Sequence, residues 1–501
     1  MKKFRSVLVL FLVVSLIFTF ASCGPSATDK KENPMASGGI NLAEKIPNTG
    51  FYIYFNVEKD DTKAMQDLQK KLVDAGVTPI WTEGMDEDVK QLTEQIKKIM
   101  DKYNDITESQ YGILAVDMEK VNALKEKEDE EIVLGPENGI YLAAVVEFSK
   151  EVKVEDYLTD IKAIVDETKK LEDNNEEKKG EIIVEPDKGT MTIKPEDGPQ
   201  IVFYFEQDGK NIIVSIGQPF SKMEKVSENI TKNDFWKEAT SHSFALYLDP
   251  QQIPDEKSKK DLIDAGWNEP IRVFGDISSS EKNGVYTSKI SVKGYNPSDL
   301  KFDNLGIDGD VTVVENADLV LALDTDWLVE AVDQAAKADE EFQNYKQMVD
   351  MLSGGVLSLS VSAKSSQEIA GALIGQYFKD ADQVWSMYGT MIEQYLENAK
   401  GSNPNLYTKS QQTDDGFEII AGTSQPQMIE ENIEGNPVLY LKLNIDPAKY
   451  GKLLETVNPD AANMFTDYSK VIDNAEITLH VNCNKDKNMS DLEIVSVVKT
   501  K

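Results

Sequence analysis

The 501-residue chain has two cysteines, two histidines and two arginines. Each shortage removes a class of chemistry. His242 and His480 stand far apart in sequence, whereas a Ser-His-Asp or Cys-His centre needs a histidine beside a placed nucleophile. Zinc needs His or Cys at close spacing, and the sequence offers no such cluster. Arg5 and Arg272 stand against 51 lysines. Arginine is the usual bidentate grip on phosphate and carboxylate, so specialised phosphate recognition is not expected. There is no G-x-S-x-G elbow, Walker loop, G-x-G-x-x-G turn or basic aromatic face. The S-x-x-K match Ser279–Lys282 reads as a hairpin turn, where that chemistry would want a helix start. Asp303, Asp308 and Asp310 lack the D-x-D-x-D-G order of a calcium loop. No metal, cofactor or catalytic residue is expected.

What is abundant is negative charge. The formal net charge is −35, and a chain without its first 22 residues, which hold three cations and no acid, would carry −38. Such a surface repels nucleic acid and anionic headgroups, so no nucleic-acid partner is expected. The 88 acidic residues leave a carboxylate-dependent hydrolase open, because only spatial separation decides whether two carboxylates cooperate.

The first cysteine has a special setting. Lys2, Lys3 and Arg5 precede VLVLFLVVSLIFTF (Val7 to Phe20), then Ala21, Ser22 and Cys23. A spanning helix needs about 20 apolar residues, so this shorter run fits the core of a secretory signal. Phe20-Ala21-Ser22-Cys23 resembles a bacterial lipobox, with Phe where an aliphatic residue is usual. The resemblance implies cleavage before Cys23 and acylation of its thiol. The signal is then 1–22 and a tether follows at 23–40. Its 17 residues from Gly24 to Ile40, without helical or strand period, reach roughly 20–25 Å as a flexible coil. Cys483 is left without a disulfide partner. It alternates with Ile477, Leu479 and Val481 and reads as a small buried hydrophobe.

Beyond the tether one unit recurs: an apolar strand, an acidic or proline-bearing break, then a helix. It starts at Gly50, Gly139, Ser243, Asp318 and Val438. Val89, Leu92, Ile96, Ile99, Met100 and Tyr103 fall at helical spacing, as do Leu158, Ile161, Val165 and Thr168. Gly76 and Gly266 end helices in similar words, KKLVDAG and KKDLIDAG. Hairpins are expected over Ile271–Gly294 and Ala475–Val498, with further short strands over Glu181–Gly217. Ser366 to Lys400 reads as one long helix or a broken pair. KEKEDEE (Lys125 to Glu131) and KKLEDNNEEKKGE (Lys169 to Glu181) read as solvated helix ends and loops.

The expected fold is α+β, in two related halves, each a mostly antiparallel sheet with helices packed on one face. The halves are set at 41–297 and 310–501, with a Gly/Asn/Asp-rich linker at 298–309. Trp81 and Trp267 each follow a DAG helix stop and are candidates for stacking on a ligand, or for closing a core edge.

The stretch NLAEKIPNTGFYIYFNVEKD, with Pro47, Gly50 and the strand FYIYFNV, resembles the start of the mature domain in uncharacterised envelope lipoproteins of Bacteroidota. The strand-helix start at Asp318 fits the same habit. That family has no assigned function and so implies no catalytic residues. The expectation is a non-enzymatic binding or structural module, lipid-anchored to a bacterial membrane (the outer membrane in a Gram-negative cell) and facing the periplasm or the surface. Its partner would be an unidentified envelope protein or small ligand. The alternatives are a carrier holding a small or apolar ligand between sheet and helices, and the hydrolase.

Overall fold

The computed structural model describes residues 40–61, 63–77, 98–99, 102–124, 132–172, 180–195, 198–264, 266–295, 305–338, 342–365, 367–484 and 489–501. It mixes helix and mostly antiparallel sheet. The chain forms two compact units. The first comprises 1–66, 78–259 and 270–280; the second comprises 67–77, 260–269 and 281–501.

The first unit contains β1 (Phe51–Glu58), β2 (Thr107–Val116), β3 (Val133–Leu134), β4 (Ile140–Phe148), β5 (Glu181–Glu185), β6 (Thr190–Lys194), β7 (Gln200–Asp208), β8 (Asn211–Ile216), β9 (Phe244–Leu248) and most of β10 (Ile271–Lys282). The ladder runs β10–β9–β1–β2–β4–β8–β7–β6–β5, antiparallel throughout. The two-residue β3 joins β7 in parallel. The helix Val154–Glu172 packs Tyr157, Leu158 and Ile161 onto Phe148, Phe203 and Phe205. Another core gathers Tyr54 against Trp236, and Phe235 against Tyr247 and Phe274.

The second unit contains β11 (Val285–Tyr295), β12 (Asp310–Val314), β13 (Leu319–Asp324), β14 (Val356–Ser365), β15 (Glu368–Gln376), β16 (Tyr407–Thr413), β17 (Gly416–Gly422), β18 (Met428–Asn432), β19 (Leu439–Ile445), β20 (Ile472–Asn484) and β21 (Met489–Thr500). Its ladder runs β11–β21–β20–β19–β13–β14–β15–β17–β16, again antiparallel. A separate pair, β12–β18, lies over one face. Three buried serines of β14 hold it there. The Ser358 and Ser362 hydroxyls donate to the carbonyls of Thr312 (3.0 Å) and Asn316 (3.2 Å), and the Ser360 Oγ accepts from the Val314 N–H (2.9 Å).

The recurring strand-break-helix unit has a local cause. Asp446 ends β19 and accepts from Lys449 N–H, capping the helix Pro447–Leu454; Asp324 does the same for Thr325–Ala338 through the N–H groups of Asp326 and Trp327. Asp117 caps Met118–Ala123. The acidic break is therefore an N-cap that satisfies donors the first helical turn leaves free. Gly76 and Gly266 follow their helices with φ of +74° and +90°, the left-handed geometry a glycine tolerates.

Three expectations are corrected. Ser366 to Lys400 is not one helix or a broken pair: β15 occupies Glu368–Gln376, and the helix is Ala381–Ser402. EIAGALIGQ mixes small and aliphatic residues that satisfy either period, and pairing with β14 and β17 decides for strand. Ser279 is no turn residue; it lies within β10 at 6% exposure. The stretch read as a linker ends in packed core, since Ile307 is buried among Val311, Val313 and Tyr440 and the Gly306 N–H donates to the Asp324 carboxylate. The amphipathic run from Val89 lies mostly outside the described residues, as do Lys125 to Glu131 and Asp303.

Candidate functional site

Register across the second unit aligns one side-chain row over eight strands. Ile419 of β17 faces Leu373 of β15, then Leu359 of β14, Leu321 of β13, Leu441 of β19, Leu479 of β20, Ile494 of β21 and Ile290 of β11. Residues directly opposite in an antiparallel pair share a face, so all eight point the same way. The row on one side holds Val361, Leu319, Leu443 and Ile477, followed by Ser496 and Ser288. The row on the other holds Leu357, Leu323, Leu439, Val481, Leu492 and Val292. These three rows contain no charged side chain.

Charge is confined to the opposite face of the same strands. There Lys289 pairs with Glu493, and Lys442 reaches Glu431 at 2.9 Å. His480 meets the Tyr440 ring edge-on at 5.1 Å, and burial lowers its pKa below 6.5. An uncharged face on an antiparallel sheet is normally packed away from water. Here Leu359 and Ile290 keep 36% and 39% of their surface exposed, and Leu321, Leu441, Leu479 and Ile494 are only partly buried. At the β15–β17 end the helix Ala381–Ser402 covers the face, with Val384, Trp385 and Tyr388 over Leu357, Leu373, Phe417 and Ile419. At the β11 end the Lys71 ammonium lies over the Tyr286 ring, 5.0 Å from its centroid. Between these ends runs an aliphatic surface whose middle residues are partly buried.

Two polar constellations lie in the first unit. A cleft of about 500 Å³ is lined by Lys102, Tyr103, Val152, Lys153, Asp156 and Asp160 among others. The Tyr103 hydroxyl donates to Asp160 at 2.5 Å, and Lys102 pairs with the same carboxylate. Burial first, then that carboxylate, raises the Tyr103 pKa well above the usual range, so the phenol stays protonated. The set fastens the helix Val154–Glu172 to Tyr103. Elsewhere His242 Nδ1 lies 2.8 Å from Asp276, whose other oxygen accepts from the Ser243 N–H. The Ser243 Oγ in turn accepts from the Ile277 N–H, so these groups pin β9 to β10.

Of the residues singled out from sequence, Cys23 and Trp81 lie outside the described residues. Trp267 is partly buried, its backbone N–H donating to the Leu262 carbonyl directly after the helix Glu256–Asp264. Cys483 is half-buried rather than core, with Sγ 3.5 Å from Ser490 Oγ, and burial raises its pKa. It shares the ladder face, two residues beyond Val481. The ladder itself was missed by sequence reasoning, although its signal is present: leucines alternate in LVLALD, VLSLSV and LYLKLNI. Alternation gives each strand a face but not the register that joins the faces.

Among the described residues, no group of three His, Cys, Asp or Glu side chains is placed to hold a metal ion, and no helix is long and apolar enough to cross a membrane. No protein-family model and no curated protein matches the chain. One solved structure, crystal form III of TP0453, is similar at 10% identity over 52% of this chain and 82% of that one, with a TM-score of 0.18. A likeness so slight lends this chain neither fold nor function.

Proposed function

We propose that the protein is a non-enzymatic binding module of the bacterial cell envelope, anchored by lipid on Cys23 and engaging its partner through the ladder face of the second unit. One observation carries the reading: three adjacent uncharged rows, with Leu359 and Ile290 more than a third exposed. An uncharged apolar sheet face that is not fully packed away from water marks an interaction site more often than a neutral surface. The hydrolase reading has less support, because Asp160 in the cleft is already engaged by Tyr103 and Lys102.

In this reading the chain arose by duplication. What supports it is strand order: β10–β9–β1–β2–β4–β8–β7 in one unit parallels β20–β19–β13–β14–β15–β17–β16 in the other. β1 and β13 correspond, and each is followed by a helix. The tether places the folded body off the bilayer, with its anionic surface toward the solvent.

A photoreactive side chain at position 359 should crosslink in intact envelopes to a discrete partner, protein or lipid. The same group at Val457, 80% exposed between the helices Pro447–Leu454 and Pro459–Tyr468 and outside the ladder strands, should not. Equal adduct yields at both positions would remove the ladder from consideration as the binding surface.

A further inference from the structure

The ladder of the second unit stops at β16, and among the described residues β16 pairs with β17 alone. Register decides which of its backbone groups face outward. The Thr423 N–H donates to the Ile369 carbonyl at 2.9 Å, so the odd-numbered residues of β17 bond toward β15. The even-numbered ones bond toward β16, where they meet Tyr407, Lys409, Gln411 and Thr413. Thr408, Ser410 and Gln412 are left with N–H and C=O pointing away from the sheet. The strand is regular and held in shape. Its pairing with β17 has no bulge, and YTKSQQT contains no proline. Lys409 and Gln411 both bond to Glu418, and Gln412 Nε2 donates to Asp382 of the helix Ala381–Ser402. Open edges are normally blunted by a free lysine, a proline or a bulge, because unpaired ladder groups recruit another strand. β16 has none of these, since its one charge is already paired with Glu418.

We infer that β16 pairs antiparallel with β16 of a second copy of this chain, about a twofold axis at Ser410. The side chains of the edge select a copy. Turning YTKSQQT about its centre sets Ser410 against Ser410, Thr408 against Gln412, Lys409 against Gln411 and Tyr407 against Thr413. No like charges are opposed, and opposed hydroxyl and amide side chains can bond across the strands. The outward residues of one copy meet the outward residues of the other, so three N–H and three C=O groups on each side all find partners. The edge of the first unit is built the other way. β5 reads EIIVE, and the same operation about Ile183 would oppose Glu181 and Glu185, a destabilising pair. The net charge of −35 on each chain resists association at long range. Screening confines that repulsion to about 8 Å at physiological ionic strength, and the edge itself carries only one paired cation. The contact uses backbone groups at the end of the sheet and does not depend on the ladder face as a binding surface.

The test uses the full chain carrying Cys23→Ser and Cys483→Ser, extracted in mild detergent, so that an introduced cysteine is the only thiol. Directly opposed residues of a hydrogen-bonded antiparallel pair have Cα atoms about 5.5 Å apart, within reach of a disulfide. Under a mild oxidant Ser410→Cys should therefore form a covalent dimer. Thr408→Cys should not, because its copy lies four residues along the partner strand, roughly 13 Å away. Mixed with Gln412→Cys, it should. Without oxidant, the chain with an unaltered edge should sediment as a dimer that weakens as salt is lowered. Ser410→Pro removes an outward N–H and spares the bonds to β17, so it should give a monomer with an unchanged circular dichroism spectrum. No covalent dimer from Ser410→Cys, or as much from Thr408→Cys alone, overturns the pairing. An unaltered edge that stays monomeric at high salt overturns it as well. None of these readouts involves position 359, so failure here is distinct from failure of the ladder reading.

Discussion

Single residues set the acid response. Burial depresses the pKa of His480, so its imidazole stays neutral in the folded chain at pH values where the unfolded chain binds a proton. The unfolded state then holds more protons, and stability declines as the pH falls. The contribution is fully present above the unfolded value of 6.5 and is lost as the pH drops from there through the lowered folded value. His480→Gln should flatten that limb of the stability profile, read from urea midpoints on either side of 6.5; an unchanged limb would assign the acid response to other groups. Local capping is decided at the same scale. Asp324 and Asp446 were legible as breaks, and the structure adds that each break is a cap. Ser360 was not legible at all, since a serine in an apolar strand looks like a solvent-facing residue until its partner strand is known.

Between elements, the serine staple joins β12–β18 to the main sheet. Deleting the Ser360 hydroxyl leaves the Val314 N–H buried without its acceptor, a loss of about 1–3 kcal/mol. Ser360→Ala should lower global stability by that order in urea unfolding. Amide exchange should accelerate first along β12, and uniform acceleration across the unit would show that the staple is not local. The same scale explains the misreading of Ser366 to Lys400. Ala370, Ala372, Gly371 and Gly375 fit a helix or a strand, and nothing local distinguishes them; β14 and β17 on either side do. By contrast, the strands opening at Gly50, Gly139, Ser243, Asp318 and Val438 were legible, because their alternation and flanking breaks agree.

For the whole molecule, attachment should depend on a single sulfur. Cys23→Ala should abolish palmitate labelling and release the chain from the membrane fraction, since stable attachment takes two or more acyl chains. Labelling that persisted would discard the anchor. Division of the chain was only coarsely legible. The stretch Ile271–Gly294 supplies β10 and β11 around Asn283 and Gly284, yet β11 pairs with β21 over eleven residues and belongs to the second unit. Such a pairing, two hundred residues apart in sequence, leaves no trace in either strand alone.

Sequence by itself determined which segments are strand or helix wherever period, cap and stop agree. It also set the strongly anionic surface and the aliphatic side of each strand, because these depend on neighbours a few residues away. Tertiary structure alone decided that three separate leucine alternations fall in one register, that three serines face a second layer, and that the resulting face stays partly open to water. Register is a relation between strands, fixed by hydrogen-bonded pairing over long loops, and no local pattern encodes it.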